Sequence, residues 1–163
     1  MTRQIDGWLG FSNPLSPYVE YDDPAPFVSG TVEYAGREFP IDFLIDTGSD
    51  VTTVMPRDAY HLLGDEYFQL DFQGGSEALR IEGVGDGRFV ALPLDVVLHL
   101  EDQLGSDVAL RKRIWIAEPP EVEFSSQGGW GLPSILGRDA IRPGDFHLSY
   151  IENTVSLIRP DHE

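Results

Sequence analysis

Residues 43–49 read Phe-Leu-Ile-Asp-Thr-Gly-Ser, a short apolar strand that runs directly into Asp-Thr-Gly-Ser. This order places a carboxylate, that of Asp46, at the end of a strand whose apolar residues are expected to be buried. Gly48 has no side chain, so backbone amides can approach that carboxylate closely. The hydroxyls of Thr47 and Ser49 can orient it by hydrogen bonding. Taken alone, the segment fits two interpretations: a strand-to-turn corner of any β protein, with Asp46 capping the turn, or a carboxylate presented for chemistry.

Two further motifs follow along the chain. A glycine-rich segment reads Gly-Val-Gly-Asp-Gly at residues 83–87, and Ile-Leu-Gly-Arg-Asp occupies residues 135–139. Preceded by Asp-Thr-Gly-Ser-Asp at residues 46–50, they reproduce the motif order of the retropepsin-like aspartic proteases, which the chain resembles over roughly residues 27–158. That family consists of single-domain, homodimeric proteins and includes the retroviral proteases with their cellular and bacterial relatives.

The resemblance implies an all-β fold, a retropepsin-like acid-protease closed barrel with one or two short helices. The composition agrees, because 12 prolines and 17 glycines in 163 residues favour many short strands and turns. We interpret residues 1–26 as a proline- and aromatic-rich N-terminal arm and residues 27–163 as the protease-like domain. Prolines exclude a regular helix from the arm, and its aromatic residues favour packing on its own domain or on a partner chain.

The spacing of apolar residues predicts individual elements. Residues 31–45 alternate apolar and polar residues on either side of Ala35 and Gly36, which predicts a β-hairpin. Pro56 and Gly64 bound a short predicted helix. Further strands are predicted at residues 88–100 and 111–117, a final hairpin at 146–158, a loop leading into a strand at 65–80, and an irregular loop at 118–131.

The resemblance also implies a mechanism. Peptide hydrolysis in this family needs two carboxylates that share a water, and two like charges at hydrogen-bonding range cannot both ionise cheaply. The sequence contains one Asp-Thr-Gly, so a single chain cannot supply both carboxylates. The expected catalytic unit is therefore a homodimer that places Asp46 beside its symmetry mate, with Thr47 and Gly48 completing the motif. A peptide or protein would be the substrate.

Other residues acquire supporting roles through the same resemblance. Ser49 and Asp50 would lie along the substrate, and Ser49 would add a hydroxyl donor near the paired carboxylates. Gly83, Val84 and Gly85 would form the tip of a flap that closes over the substrate, because glycines permit the backbone to turn and to approach a peptide. Out of context, the same segment is an ordinary glycine-rich hairpin turn.

Structural support for the motif is expected from the C-terminal part of the chain. Arg138, which follows Gly137, would pair with Asp50 and steady the loop that carries Asp46; the alternative is two independent surface charges. Thr47 would reach across the dimer axis to the backbone of the partner chain, or would be an ordinary β-branched residue at a strand end.

Composition excludes several other classes of function. A net charge of −17 repels phosphate backbones, which argues against a nucleic acid partner. The absence of cysteine and the scattered positions of four histidines argue against a metal site, and no cofactor is expected. We find neither a signal-peptide pattern nor an apolar run that could span a membrane, so no membrane partner and a cytoplasmic location are expected. Ten arginines accompany a single lysine, Lys112, which genome composition or adaptation to high salt would each explain.

Two hypotheses for the function follow. The first is an enzyme, an aspartic endopeptidase. The second is a non-catalytic module of the same fold that dimerises or binds peptides, because a fold does not by itself determine a function. The intact Asp-Thr-Gly-Ser favours the first hypothesis.

Overall fold

The computed structural model describes residues 1–82, 88–121 and 128–160, which form two sheets, one of three and one of eight strands. This confirms the all-β class with two short α-helices. No helix among the described residues is long and apolar enough to cross a membrane. In chain order the elements are β1 (Thr2–Asp6), β2 (Trp8–Asn13), β3 (Ser16–Tyr34), β4 (Arg37–Ile45), β5 (Thr53–Val54), α1 (Pro56–Leu63), a 3-10 helix (Gly64–Gln69), β6 (Leu79–Glu82), β7 (Arg88–Glu101), β8 (Asp107–Ala117), a second 3-10 helix (Gly128–Gly131), β9 (Ile135–Leu136), α2 (Arg138–Ile141), β10 (Asp145–Ser149) and β11 (Thr154–Pro160).

Six strands of the larger sheet close into a barrel, as the sequence predicted. β3 pairs with β4, β4 with β9, β9 with β5, β5 with β8, and β8 with β7. β7 then returns to β3, with Leu98 opposite Val32. The closed ring encloses a continuous apolar core to which Phe43, Leu98 and Ile116 contribute fully buried side chains. Because the ring is closed, each of these six strands has a hydrogen-bonded neighbour on both sides.

The predicted hairpin and helix are confirmed where their turn chemistry is strong. β3 and β4 are joined at Ala35 and Gly36, whose φ angles of 50° and 75° are both in the left-handed region. Such a turn matches the twist of the flanking strands. α1 begins at Pro56 and ends at Leu63, and Gly64, which caps it, has a φ angle of 62°. The final hairpin pairs β10 with β11 and turns at Asn153, where φ is 53°.

The N-terminal arm consists of strands that belong to both sheets. β1 pairs with β11, so the first and last strands of the chain lie side by side. β2 pairs with β3, and the ring of Trp8 stacks on that of Phe27 at a centroid distance of 5.7 Å. β3 runs without interruption through residues 26 and 27. The arm therefore packs on its own chain, which is one of the two arrangements that its aromatic residues favoured.

The segment at residues 65–80 contributes more to the core than its sequence suggested. Its 3-10 helix carries Tyr67, which is fully buried and whose hydroxyl donates to the carbonyl of Ala117 at 2.7 Å. Burial raises the pKa of the Tyr67 hydroxyl, so it remains a donor. Trp130, from the second segment read as a loop, is buried against Tyr67 with a ring-centroid distance of 6.4 Å. Single aromatic anchors of this kind lack the periodicity that reveals a strand or a helix.

His99 joins three strands at the point where the barrel closes. Its Nε2 lies 3.0 Å from Oε2 of Glu33 on β3, and its Nδ1 lies 2.9 Å from Oδ2 of Asp107 on β8. The hydrogen bonds to Glu33 and to Asp107 raise the pKa of His99, and burial opposes them only in part. A protonated imidazole can donate to both carboxylates at once.

The stability that His99 contributes should therefore depend on pH. Its folded-state pKa is raised above the unfolded value of about 6.5, so the contribution is complete below that value and is lost as the pH rises through the raised pKa. We expect His99→Gln to lower the free energy of unfolding, measured with urea, more at about pH 5.5 than at about pH 9. In a Glu33→Gln, Asp107→Asn background this difference should shrink. Equal losses at the two pH values would contradict the assignment.

Candidate active site

Asp46 lies at the end of β4, where the chain leaves the barrel. Its backbone N–H donates to the carbonyl of Leu136 on β9 at 3.1 Å. Its Oδ1 accepts a hydrogen bond from the backbone N–H of Gly48 at 2.8 Å. A Cβ atom on Gly48 would lie 3.0 Å from the same oxygen, so this close approach favours glycine, as the sequence predicted. Asp46 is half-buried, whereas Thr47 and Gly48 are exposed.

The chain from Asp46 to Thr52, called here the 46–52 loop, is docked on the end of β9 and the start of α2. The backbone N–H of Arg138 donates to the carbonyl of Ser49 at 2.8 Å, and that of Asp139 donates to the carbonyl of Asp50 at 3.2 Å. Both carbonyls lie in the middle of the loop, so the loop is held at its centre as well as at Asp46. A segment about ninety residues further along the chain thus determines the loop's shape.

Gly137 and Thr52 complete this docking. A Cβ atom on Gly137 would overlap the backbone of Val51, so only glycine allows the two segments to lie this close. Thr52 is fully buried. Its hydroxyl donates to Oδ1 of Asp139 at 2.7 Å and accepts the backbone N–H of Gly137 at 3.2 Å. One side chain therefore satisfies two polar groups at the centre of the contact.

The predicted pair between Asp50 and Arg138 is confirmed. Nη2 of Arg138 contacts Oδ1 of Asp50. The side chain of Asp50 is 76% exposed and that of Arg138 is 41% exposed. Ion pairs as open to water as this one contribute little to stability. The backbone hydrogen bonds and the buried Thr52 therefore hold the loop more than this pair does.

The hydroxyl of Ser49 differs from the expectation. It donates to the backbone carbonyl of Val51 at 2.9 Å and not to the carboxylate of Asp46. The reason is local, because the turn brings the Val51 carbonyl within reach of a hydroxyl two residues earlier, a common arrangement for serine. Ser49 therefore stabilises the turn within this chain.

The carboxylate of Asp139 has a second partner that sequence reasoning missed. Its Oδ2 lies 2.9 Å from Nζ of Lys112 on β8, and the lysine side chain is only 14% exposed. The available signal was compositional, because Lys112 is the single lysine of the chain. Thr52 gave no signal, since a threonine beside a short strand is ordinary in any β protein.

A buried hydrogen-bond network links the elements that follow and precede the loop's two contacting segments. The hydroxyl of Ser134 donates to Oδ2 of Asp58 on α1 at 2.6 Å and accepts the backbone N–H of Met55 at 3.0 Å. Burial raises the pKa of Asp58, and the hydrogen bond from Ser134 opposes that shift. This network connects the first turn of α1 to Ser134, the residue that precedes β9, and so fixes these two elements relative to each other.

The expected flap tip at Gly83, Val84 and Gly85 lies outside the described residues. The strands on either side, β6 and β7, are antiparallel neighbours as far as Glu82 opposite Arg88. β6 is at the edge of the larger sheet.

A groove of about 340 Å³ opens between the start of α1 and the base of β7. It lies next to the loop in the chain, because Met55 follows β5 and Leu132 shortly precedes β9. Most of its lining residues are apolar, and the charged residues Arg88, Glu118 and Glu121 line it as well. The apolar lining consists of Met55, Pro56, Phe89, Ala117, Pro119, Pro120 and Leu132.

Similarity to known proteins is found among solved structures. No family model and no curated protein matches the chain. The chain is similar to EIAV protease complexed with the inhibitor HBY-793, with 20% sequence identity and a TM-score of 0.38. The likeness covers 76% of this chain and 92% of that protease.

The buried hydroxyl of Thr52 should be measurable in the stability of the protein. Thr52→Val removes one donor and one acceptor and leaves Asp139 and the Gly137 N–H without that partner. We expect the free energy of unfolding to fall by about 2 kcal/mol. Thr52→Ser keeps the hydroxyl and should recover most of the loss in the same urea titration. If Thr52→Val keeps the wild-type stability while Thr52→Ser loses it, the methyl group and not the hydroxyl is what matters at this position.

Proposed function

We propose that the protein is an aspartic endopeptidase that hydrolyses peptide bonds with a water activated by Asp46 and by the same residue of a second copy. The observation that carries the proposal is the geometry of the 46–52 loop. The loop presents Asp46 at an exposed turn. Backbone hydrogen bonds fix the loop: Asp46 bonds to Leu136, and further along Ser49 and Asp50 accept bonds from Arg138 and Asp139. Catalysis depends on reactive groups that are fixed before the substrate arrives, and this loop meets that requirement.

The proposed catalytic unit is a homodimer. One chain carries one Asp-Thr-Gly, and the exposed Thr47 and Gly48 leave a surface beside Asp46 on which a second copy can pack. In the proposed dimer one carboxylate is ionised and the other is protonated. The ionised carboxylate takes a proton from water as the oxygen attacks the peptide carbonyl carbon, and the protonated carboxylate gives its proton to the carbonyl oxygen. The tetrahedral intermediate then collapses, and the leaving amine takes a proton from the dyad.

The proposed substrate is an extended peptide with apolar residues on either side of the cleaved bond. Two features support this choice. The groove lined by Met55, Phe89 and Leu132 offers an apolar surface, and Met55 follows the loop closely in sequence. The strand β6 lies at the edge of its sheet, and an edge strand can pair with an extended peptide through backbone hydrogen bonds.

The proposal predicts that Asp46→Asn abolishes cleavage of a peptide library at every acidic to neutral pH. The amide cannot cycle a proton, so the rate should fall about a thousandfold or more while the fold is retained. Asp95→Asn is a matched control, because Asp95 is an exposed aspartate on β7 that pairs with Arg113. This control should cleave like the wild type. Mass spectrometry of the products should place the cuts between apolar residues.

Two outcomes would contradict the proposal. A wild-type protein that dimerises but cleaves no member of the library would favour the non-catalytic, peptide-binding module. Cleavage that persists in Asp46→Asn would assign the activity to another site or to a contaminating protease.

A further inference from the structure

Lys112 occupies an unusual position for a lysine. It is the single lysine in a chain of net charge −17. It lies on β8 opposite Val96 of β7, and its side chain is only 14% exposed. Its neighbours Arg111 and Arg113 on the same strand are both exposed. A long, strongly hydrated side chain is seldom withdrawn from water unless a partner compensates its charge.

The partner is Asp139, although other carboxylates are near. Glu33 and Asp95 line the same groove as Lys112. Each of them already has a cationic or histidine partner, since Asp95 binds Arg113 at 2.9 Å and Glu33 binds His99 at 3.0 Å. The ammonium of Lys112 instead lies 2.9 Å from Oδ2 of Asp139. This ion pair crosses from the barrel wall to the first turn of α2.

Asp139, the partner of Lys112, makes two hydrogen bonds to the 46–52 loop. Its Oδ1 accepts the hydroxyl of the fully buried Thr52, at the end of the loop. Its backbone N–H donates to the carbonyl of Asp50, in the middle of the loop. The neighbouring cation Arg138 pairs with the side chain of Asp50 and not with that of Asp139. Among the described residues Lys112 is therefore the cation that balances the charge of Asp139.

We propose that Lys112 is a positioning residue for Asp46, acting through Asp139 and Thr52. This inference rests on the proposed function for its catalytic meaning. By compensating the carboxylate of Asp139, the ammonium allows that carboxylate to stay turned inward, where it can accept the Thr52 hydroxyl. Without the ammonium, an uncompensated carboxylate that is only 26% exposed would turn toward water. Thr52 would lose its acceptor, and the centre of the loop would lose its tie to α2.

A first measurement tests whether the loop stays docked, and it does not require the protein to be an active enzyme. Hydrogen exchange of the backbone amides of Arg138 and Asp139 reports the two bonds to the loop carbonyls. Lys112→Met should speed the exchange of both amides about tenfold or more, because their bonds open locally. Arg113→Met is the matched control, since it removes the adjacent cation of the same strand together with its exposed pair with Asp95. It should leave both amides as they are in the wild type.

A charge-neutral double variant separates charge compensation from packing. Lys112→Met leaves a carboxylate without a cation, whereas Lys112→Met combined with Asp139→Asn leaves no unbalanced charge and keeps an acceptor for Thr52. The double variant should therefore recover most of the slow exchange that the single variant loses. Loss of the lysine stem alone would affect both variants equally.

Kinetics provide the second readout. A small displacement of a catalytic carboxylate lowers turnover more than it weakens substrate binding. Lys112→Met should therefore lower kcat about tenfold with little change in KM. The double variant should regain most of that loss, and Arg113→Met should match the wild type. A purely structural role would lower the melting temperature but would leave kcat per folded dimer unchanged.

The outcomes separate this inference from the proposed function. Faster exchange in Lys112→Met with recovery in the double variant supports the positioning role, even if the wild-type protein cleaves no peptide and the proposed function fails. Unchanged amides in Lys112→Met would overturn the inference, whether or not the protein is a protease. Equally faster exchange throughout the barrel would also overturn it, because the lysine would then stabilise the whole domain and not this loop.

Discussion

The site depends on the contact between the 46–52 loop and the residues around Gly137. Backbone hydrogen bonds tie Ser49 and Asp50 to Arg138 and Asp139, and the absence of a side chain at Gly137 lets the two segments meet. A turn that presents a carboxylate at the protein surface would otherwise be free to move. Because most of these bonds are made by the backbone, the loop keeps its shape without relying on exposed charges.

Closure of the barrel is what brings the two segments together. β9 contains two residues, and it lies parallel to β4 on one side and antiparallel to β5 on the other. It thereby fills the gap between the strand that enters the loop and the strand that leaves it. So short a strand has little stability alone and is held by its neighbours. The buried bonds of Ser134 to Asp58 and Met55 then fasten this strand to α1.

The elements that could be predicted from the sequence are those with strong local signals. The hairpin at Ala35 and Gly36, the helix between Pro56 and Gly64, and the long alternating strand β7 all carry turn residues or clear periodicity. The pairing of Asp50 with Arg138 came from motif resemblance. Long-range contacts of single residues gave no pattern, so the bonds of Thr52 and of Lys112 to Asp139 emerged only from the fold. The local bond of Ser49 to Val51 was likewise seen only in the structure.

The most direct test of a site shared between two chains mixes wild-type and Asp46→Asn protein, allows the subunits to exchange, and measures peptide cleavage at constant total concentration. If each active site needs Asp46 from both chains, activity follows the square of the wild-type fraction, so an equal mixture retains about a quarter of the activity. Activity proportional to the wild-type fraction itself, with about half remaining in the equal mixture, would contradict the shared dyad.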